Sequence, residues 1–234
     1  MNYISFSSLD KLDFIKAIFT NRNVDAKNIE DIKNICEDVG FNFNNLTFNK
    51  QVHGDNINII DKEKIGKTFE GDGIITNLRN VPILVFVADC VPIAIIDTKN
   101  KAIGLVHAGW RSTFSQISKK AIDTMKQIYN SNTEDILCLI GPSIGPCCYE
   151  VNKELVDKFN NKFTNPDRKF YIIKEGKYFL DLWNINEYIL SSCGIKKENI
   201  INTKMCTCCN NDMFYSYRKD NQTSKRMGFL LELI

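Results

Sequence analysis

Histidine is scarce in this chain of 234 residues, which contains only His53 and His107. An excess of one charge is also lacking, because 30 basic and 28 acidic side chains leave a formal net charge of +2. This near-neutrality gives no electrostatic reason to expect a nucleic-acid or membrane partner. The sequence has no internal repeat, low-complexity tract or Gly/Ser/Pro linker. We therefore expect a single domain over residues 1–234.

Long hydrophobic runs are missing as well. No apolar stretch approaches the roughly 20 residues that a membrane-spanning helix needs. The start of the chain lacks the basic segment and apolar core of a secretory signal peptide. The expected location is therefore the cytoplasm. In that reducing compartment nine cysteines are not a disulfide set, so each is a buried hydrophobe, a nucleophile or a metal ligand.

Short apolar runs alternate with amphipathic stretches, which indicates a mixed α/β fold. Strands are predicted at residues 82–88, 92–97, 102–106, 136–140 and 227–234. Helices are predicted at residues 28–39, 113–129, after the cap residue Asn152, and at 182–193. The core-facing positions of the first two helices are predicted to be Ile29, Ile32, Ile35 and Cys36, and Ile117, Ala121, Met125 and Ile128. Ser112 or Thr113 is expected to cap the second helix.

Three chemically active side chains are predicted to lie where a strand gives way to a loop. His53 follows one strand, Cys90 ends the apolar strand at 82–88, and His107 ends the next strand but one. Two imidazoles and one thiolate suit Zn²⁺ at a catalytic centre, with a fourth position open to water or substrate. The alternative is two buried, hydrogen-bonded histidines and an inert core cysteine. The spacing of these three residues does not decide between the two alternatives, because they lie far apart in the sequence and form no local motif.

A series of motifs containing these residues occurs in a fixed order along the chain. It comprises Gln51-Val52-His53-Gly54, Asp72-Gly73-Ile74-Ile75-Thr76, Ala88-Asp89-Cys90-Val91-Pro92, Val106-His107-Ala108-Gly109-Trp110-Arg111, Ile140-Gly141-Pro142-Ser143-Ile144, Cys148-Tyr149-Glu150-Val151, Phe214-Tyr215-Ser216-Tyr217-Arg218 and Arg226-Met227. From about Phe19 to the C-terminus the series closely resembles the laccase-domain family. That family is also called the multicopper polyphenol oxidase-like or purine nucleoside phosphorylase family.

The resemblance implies a single-domain, four-layer α/β/β/α sandwich with mixed sheets. It implies that His53, Cys90 and His107 bind a catalytic zinc. It also implies phosphorolysis of adenosine, inosine, guanosine and methylthioadenosine, and deamination of adenosine. The chain departs from the family after Arg22, where Asn23-Val24-Asp25 replaces a glycine-rich segment. This departure puts in doubt any transfer of substrate contacts to Arg22.

Arginines are candidates for binding phosphate. Arg111 is expected just before the helix that starts near Thr113. The guanidinium of Arg111 and the free backbone N–H groups of that helix start would together form an anion site. Phosphate held there would attack the ribose C1′ as the base departs. The alternative is a surface ion pair. Arg218 and Arg226 either hold substrate or form structural ion pairs.

Two aspartates are candidates for orienting a ligand or moving a proton. Asp89 neighbours Cys90, but alternation along a strand points it to the opposite face. We therefore favour Asp72 as the catalytic-site residue of the two, in either role.

The remaining cysteines are interpreted mainly as packing residues. Cys206 and Cys209 form a C-x-x-C pair, but no second pair has zinc-ribbon spacing and no histidine remains free. Cys147 or Cys148 is the candidate among them for lining a pocket.

Other functions use the same residues. A copper polyphenol oxidase needs many imidazoles, and two are present, so copper is disfavoured against zinc. A metal-free hydrolase or deamidase would use Cys90 as nucleophile and His107 as base. Editing of cell-wall precursors, known among bacterial relatives, stays open, and a non-catalytic binding module is the least favoured. The expected partners are a nucleoside and phosphate, and the oligomeric state is not predicted.

Overall fold

Two large mixed β-sheets form the centre of the computed structural model, which describes residues 1–166 and 168–234. The strands are β1 (Tyr3–Ser5), β2 (Ile15–Thr20), β3 (Thr47–Phe48), β4 (Ile57–Ile59), β5 (Gly73–Thr76), β6 (Ile83–Val87), β7 (Val91–Asp97), β8 (Ala102–Ala108), β9 (Ile136–Ile140), β10 (Glu150–Val151), β11 (Tyr171–Lys174), β12 (Lys177–Leu180), β13 (Ile200–Asn202) and β14 (Met227–Leu233). The helices are α1 (Ile29–Val39), α2 (Trp110–Phe114), α3 (Ile117–Tyr129), α4 (Lys153–Lys162) and α5 (Leu182–Ser192).

The first sheet has the strand order β13-β9-β7-β8-β5-β4, and the second has the order β1-β2-β14-β6-β3. β7 and β8 form the antiparallel hairpin predicted from the sequence, while β4 pairs with β5 and β13 with β9 in parallel. β14 lies inside the second sheet, antiparallel to both β2 and β6. A small third sheet has the order β10-β12-β11.

Successive side chains of β7 show why the layers stack as they do. Ile93 and Ile95 pack in one hydrophobic cluster with residues of α3 and α5, whereas Ala94 and Ile96 pack in another with residues of β14 and β6. Opposite faces of a strand therefore meet different layers. A third cluster joins α1 to the outer face of the second sheet. The result is the expected single-domain α/β/β/α sandwich with mixed sheets.

The cap predicted at Asn152 is present, and a second cap occurs at Asn28. The Asn28 side chain accepts hydrogen bonds from the backbone N–H groups at the start of α1, and Asn152 accepts one from Leu155 N at the start of α4. Two predicted core positions are wrong: Ile29 is 56% exposed and Ile128 is 46% exposed. At the end of α3 it is Tyr129 that packs against the core.

The predicted helix at residues 113–129 is broken into α2 and α3. Gln116 between them has φ +59°, which ends the first helical segment. α2 begins three residues earlier than expected, after Gly109, and Thr113 N donates to Gly109 O at 2.8 Å. The expected cap at Ser112 or Thr113 is therefore wrong, because both lie inside α2.

Among the residues that the structure describes, none of the helices combines the length and the apolar character that crossing a bilayer requires.

Candidate metal centre and active-site cavity

The predicted ligands reach one point from three different parts of the fold. His107 lies in β8, and Cys90 lies in the turn between β6 and β7. His53 was expected directly after a strand, which is wrong: β3 ends at Phe48, and His53 occupies a turn with φ +59°. A left-handed backbone is uncommon for a side chain other than glycine and marks a position held by its surroundings.

The three donor atoms fit a single metal ion. The ligand atoms of His53, Cys90 and His107 all lie within 4.8 Å of one another, and His53 Nε2 is 4.0 Å from Cys90 Sγ. Tetrahedral zinc with ordinary bond lengths places a nitrogen and a sulfur ligand about 3.6 Å apart. The two imidazole rings cross nearly edge to face, with centroids 4.9 Å apart. His107 is buried and His53 exposed, so the centre is open on one side.

Asp72 holds both histidines in place. Its carboxylate accepts a hydrogen bond from His107 Nδ1 at 2.8 Å, which leaves the other ring nitrogen for a metal. It also accepts backbone N–H bonds from Val52, His53 and Gly54, at 3.1, 3.0 and 2.7 Å. Asp72 is 1% exposed and does not line the cavity. Its position is therefore that of a residue orienting the ligands, which is one of the two roles considered for it from the sequence.

Gly109 permits the close approach of these ligands. A Cβ at this position would lie 3.1 Å from Cys90 Sγ and 3.2 Å from His53 Cδ2. Both distances are shorter than ordinary van der Waals contacts between such atoms, so a larger residue would press on two ligands at once.

The charges of the centre are strongly coupled. Burial alone would raise the pKa of the Cys90 thiol, but His107 and His53 outweigh it and lower that pKa to about 6. Burial opposes protonation of His107, yet the Cys90 thiolate and the Asp72 carboxylate raise its pKa to about 9. The pKa of Asp72 lies below its ordinary value, since bonds from His107 and Gly54 overcome the effect of burial. The metal-free centre therefore pairs a thiolate with an imidazolium, and binding of a cation releases the imidazolium proton.

Asp89 has a role that strand alternation did not predict. It has φ +83°, and its carboxylate accepts hydrogen bonds from Thr207 Oγ1 at 2.6 Å, Ser216 Oγ at 3.1 Å and Arg218 N at 2.7 Å. Its carbonyl accepts from Ile144 N at 2.9 Å. Asp89 thus ties the turn that carries Cys90 to two other loops of the site. These partners are distant in sequence, so no local pattern identifies them.

The metal centre opens into a cavity of about 980 Å³. The volume is in the range of sites that enclose small organic ligands. Its walls are partly aromatic and partly cationic, and the residues relevant to chemistry are Gln51, Phe86, Asp89, Trp110, Arg111, Tyr149, Tyr217, Arg218 and Arg226.

All three predicted arginines line this cavity, but not as expected. Arg111 lies in the first turn of α2, its guanidinium 4.3 Å from the centre of the Trp110 ring, so the helix start expected near Thr113 is wrong. Within the described residues Arg111 has no carboxylate at ion-pair distance. Arg218 Nη1 donates to Glu150 O at 2.9 Å, and Arg226 Nη1 donates to backbone carbonyls of its own loop.

Arg22 is not part of the site. It pairs with Asp220 at 3.6 Å, donates a hydrogen bond to Asn211 O and does not line the cavity. This agrees with the departure from the family pattern at the same place in the sequence.

Six of the other eight cysteines fall into two groups. Cys36 and Cys138 are buried packing residues, as predicted. The sulfurs of Cys147, Cys148, Cys206 and Cys209 instead lie close together, and the interpretation as packing residues is wrong for the exposed Cys147 and Cys209. Neither Cys147 nor Cys148 lines the cavity. The C-x-x-C pair was the only local sequence pattern that pointed to this cluster, because the other two cysteines of the cluster lie about 60 residues away.

The sequence of this chain is similar to those of several known proteins. The family model described as multi-copper polyphenol oxidoreductase laccase matches residues 18–234. A protein named purine nucleoside phosphorylase from Clostridium acetobutylicum is 36% identical over 211 residues, covering 88% of this chain and 84% of that protein. A protein named adenosine deaminase RL5, from an unknown prokaryotic organism, is 28% identical over 247 residues, covering 90% of this chain and 93% of that protein.

A solved structure has the same fold. The hypothetical protein YfiH of Bacillus licheniformis aligns with a TM-score of 0.92 at 26% identity, covering all of this chain (100%) and 97% of that one. Since the family model spans nearly the whole sequence, the chain belongs to the multi-copper polyphenol oxidoreductase laccase family.

Proposed function

We propose that this chain is a zinc-dependent purine nucleoside enzyme that performs phosphorolysis and also deaminates adenosine. The observation that carries the proposal is the meeting of His53, Cys90 and His107 at the floor of a cavity that three arginines line. The names of two relatives, a purine nucleoside phosphorylase and an adenosine deaminase, support this substrate class. The proposed substrates are adenosine, inosine, guanosine and methylthioadenosine.

The donor set favours zinc over copper. Two imidazoles and one thiolate with a fourth position open are typical of catalytic zinc sites. A multicopper oxidase needs several copper ions held by many imidazoles, and the whole sequence contains two histidines. When bound, zinc supplies Lewis acidity and a water molecule of lowered pKa. His53, Cys90 and His107 would hold the ion, while Asp72 fixes the orientation of the His107 ring and the backbone of His53.

Arg111 is the proposed phosphate-binding residue. Its guanidinium faces the cavity without a carboxylate partner among the described residues, so an anionic ligand would neutralise it. Charge-assisted hydrogen bonds from arginine to phosphate are strong and directional. Arg218 also lines the cavity, but its bond to Glu150 O leaves it fewer free donors.

The aromatic walls suit a purine base. Phe86, Tyr149 and Tyr217 line the cavity and offer ring faces on which a base can stack. Burial, with a smaller contribution from Cys90, raises the pKa of Tyr149 to about 12, so its hydroxyl keeps its proton near neutral pH. A protonated hydroxyl donates a hydrogen bond, which would stabilise negative charge developing on the departing base. We also propose a cytoplasmic location, where free thiols persist.

A product assay tests the function. The zinc-loaded protein is incubated with adenosine, with and without inorganic phosphate, and the products are separated by chromatography. Adenine with ribose 1-phosphate indicates phosphorolysis, and inosine indicates deamination. A Cys90→Ala variant purified in the same way is the control, because contaminating host enzymes would remain active in it. Absence of both products, or equal activity in the variant, contradicts the proposal and directs screening towards cell-wall precursors.

A second candidate function is that of a metal-free cysteine hydrolase or deamidase. The observation that favours it is the order Cys90, His107 and Asp72, in which a thiolate meets an imidazolium oriented by a carboxylate. Such an enzyme would keep full activity after zinc is removed by a chelator. The zinc enzyme would lose activity and regain it when zinc is restored.

A further inference from the structure

Four cysteines outside the cavity meet at one point of the surface. The sulfur atoms of Cys147, Cys148, Cys206 and Cys209 all lie within 4.8 Å of one another. Cys147 and Cys209 are exposed, Cys148 is half-buried and Cys206 is buried. The cluster is therefore anchored on one side and open to solvent on the other, from which a cation can enter.

Backbone hydrogen bonds hold the two cysteine-bearing loops together. Ser143 N donates to Met205 O, and Thr207 N donates back to Ser143 O, each at 3.1 Å. Within the first loop Cys148 N donates to Gly145 O at 3.0 Å, which turns the chain so that neighbouring cysteines approach the second loop. The folded backbone therefore brings the four sulfurs together before any cation binds, which lowers the entropic cost of binding.

The distances between the sulfurs suit metal ligands better than a disulfide. Cys209 Sγ lies 3.4 Å from the sulfurs of both Cys147 and Cys148. A disulfide bond requires about 2.05 Å, and one such bond would engage only two of the four sulfurs. Tetrahedral zinc with four thiolates places its sulfurs about 3.8 Å apart. An adjustment of a few tenths of an ångström accommodates the ion.

Groups that favour a thiolate lie next to the cluster. Gly145 N donates a hydrogen bond to Cys206 Sγ at 3.3 Å, an arrangement that orients a ligand sulfur. The Lys219 ammonium lies 3.3 Å from Cys208 O in the same loop and brings positive charge to it. Binding of Zn²⁺ by four thiols releases four protons and leaves two net negative charges, which this ammonium partly offsets.

We propose that Cys147, Cys148, Cys206 and Cys209 bind a second zinc ion in a closed, structural site. Four thiolates complete the tetrahedral coordination and leave no position for water or substrate. The ion would cross-link the loop that continues to Tyr149 with the loop that continues to Arg218, and both of these residues line the cavity. The site is independent of the reaction proposed for the His53, Cys90 and His107 centre.

Zinc content per chain tests the proposal. Protein without an affinity tag is purified under reducing conditions, loaded with zinc, desalted and measured by mass spectrometry of the metal. We expect about two zinc ions per chain. A His53→Ala variant should keep the second ion and a Cys147→Ser/Cys209→Ser variant the first, so the two sites are counted separately. Wild-type protein with one zinc ion, unchanged in the double cysteine variant, overturns the proposal.

Cys208→Ser is the matched control, because Cys208 lies in the same loop but is not one of the four clustered sulfurs. It should retain about two zinc ions. Loss of one ion from this variant, with none lost from the double variant, contradicts the ligand assignment.

Alkylation of the wild-type chain makes the test independent of variant folding. Zinc-loaded and chelator-treated samples are treated with iodoacetamide, and modification at each cysteine is read by peptide mass spectrometry. Zinc should protect Cys147 and Cys209, which are exposed in the chain, and leave Cys208 reactive in both samples. Equal modification with and without zinc, or a disulfide between Cys209 and either neighbour in freshly purified protein, overturns the proposal.

Discussion

The Asp72 carboxylate accepts a hydrogen bond from His107 Nδ1 at 2.8 Å, and the same carboxylate accepts the backbone N–H of His53 at 3.0 Å. One buried acid therefore orients the imidazole of His107 and holds the backbone that carries His53. We expect Asp72→Asn to weaken zinc binding about 10- to 100-fold, because the amide nitrogen cannot accept and one of these contacts is lost. Competition against a chelator at neutral pH measures the affinity.

Asp97→Asn is the matched control for this substitution. Asp97 is also buried, ends β7 and accepts backbone N–H bonds from Lys99 and Asn100, but it is remote from the histidines. Its substitution should leave zinc affinity unchanged. Wild-type affinity in Asp72→Asn would show that the contact does not support the metal centre.

The reactivity of Cys90 in the metal-free protein should depend on pH. Burial opposes ionisation, but His107 and His53 lower the pKa of the thiol to about 6. The fraction of thiolate, and with it the rate of alkylation by iodoacetamide, should rise as pH increases through about 6. Removing the imidazolium in His107→Ala should shift this rise to higher pH. Peptide mass spectrometry at a series of pH values gives the rate at each cysteine.

Cys193 is an internal reference for that experiment. Burial raises its pKa to about 11, so it should react only at much higher pH than Cys90 in the same sample. Zinc should slow alkylation of Cys90 and leave Cys193 unaffected. If the two cysteines titrate together, the charged pair at the centre is wrongly assigned.

The same charges set a window of stability for the metal-free fold, and each of the two pKa shifts below depends on the other group being charged. The Cys90 pKa is lowered from 9.0 to about 6, so its contribution is complete above 9.0 and is lost as pH falls through about 6. The His107 pKa is raised from 6.5 to about 9, so its contribution is complete below 6.5 and is lost as pH rises through about 9. The pair should therefore stabilise the fold most between about 6 and 9, which thermal unfolding across pH can measure.

Local sequence patterns predicted the fold where neighbours in sequence determine the structure. The hairpin of β7 and β8 follows from two apolar runs and a turn, and α1 follows from the apolar residues on one of its faces. The break between α2 and α3 was not predictable, because Gln116 is an ordinary helix residue forced into a left-handed conformation by its context.

The site was predictable only in part for the same reason. His53 and Cys90 are separated by 37 residues, and nothing local shows that they meet, so the resemblance to a family supplied that step. The hydrogen-bond partners of the Asp89 carboxylate were not predicted, because they lie more than 100 residues away in the sequence. Contacts formed by distant segments depend on the packing of whole layers, which periodicity does not specify.

Gly109 should be intolerant of a side chain. The Cβ of Gly109→Ala would lie 3.1 Å from Cys90 Sγ and 3.2 Å from His53 Cδ2, so one ligand or both must move. We expect weaker zinc binding, because the added methyl group presses on two of the three ligands. Gly54→Ala is the control, because its Cβ would make ordinary contacts at 3.5 and 3.7 Å. Similar zinc affinity in both variants would contradict this reading of Gly109.

Asp89 should contribute to stability rather than to metal binding. Asp89→Ala leaves the Thr207 and Ser216 hydroxyls and the Arg218 N–H without their acceptor. We expect the free energy of unfolding to fall by about 3 kcal/mol, since each unsatisfied buried donor costs about 1–3 kcal/mol. Asp89→Asn should lose less, because its amide oxygen still accepts and asparagine tolerates a left-handed backbone. Urea unfolding measures both, and equal stability of the alanine and wild-type proteins would refute the role.

Arg111 separates the two proposed reactions, because only phosphorolysis uses phosphate. Arg111→Met keeps the length and packing of the side chain against Trp110 but removes the charge. We expect the KM for phosphate to rise about 10- to 100-fold, as loss of a charge-assisted hydrogen bond of about 1.5–3 kcal/mol implies. Conversion of adenosine to inosine should continue at its wild-type rate. Arg79→Met is the control, because Arg79 bonds the carbonyl of Ile234 away from the cavity. An unchanged KM in Arg111→Met would move the phosphate site to Arg218 or Arg226, whereas loss of both reactions would mean that Arg111 positions the nucleoside instead.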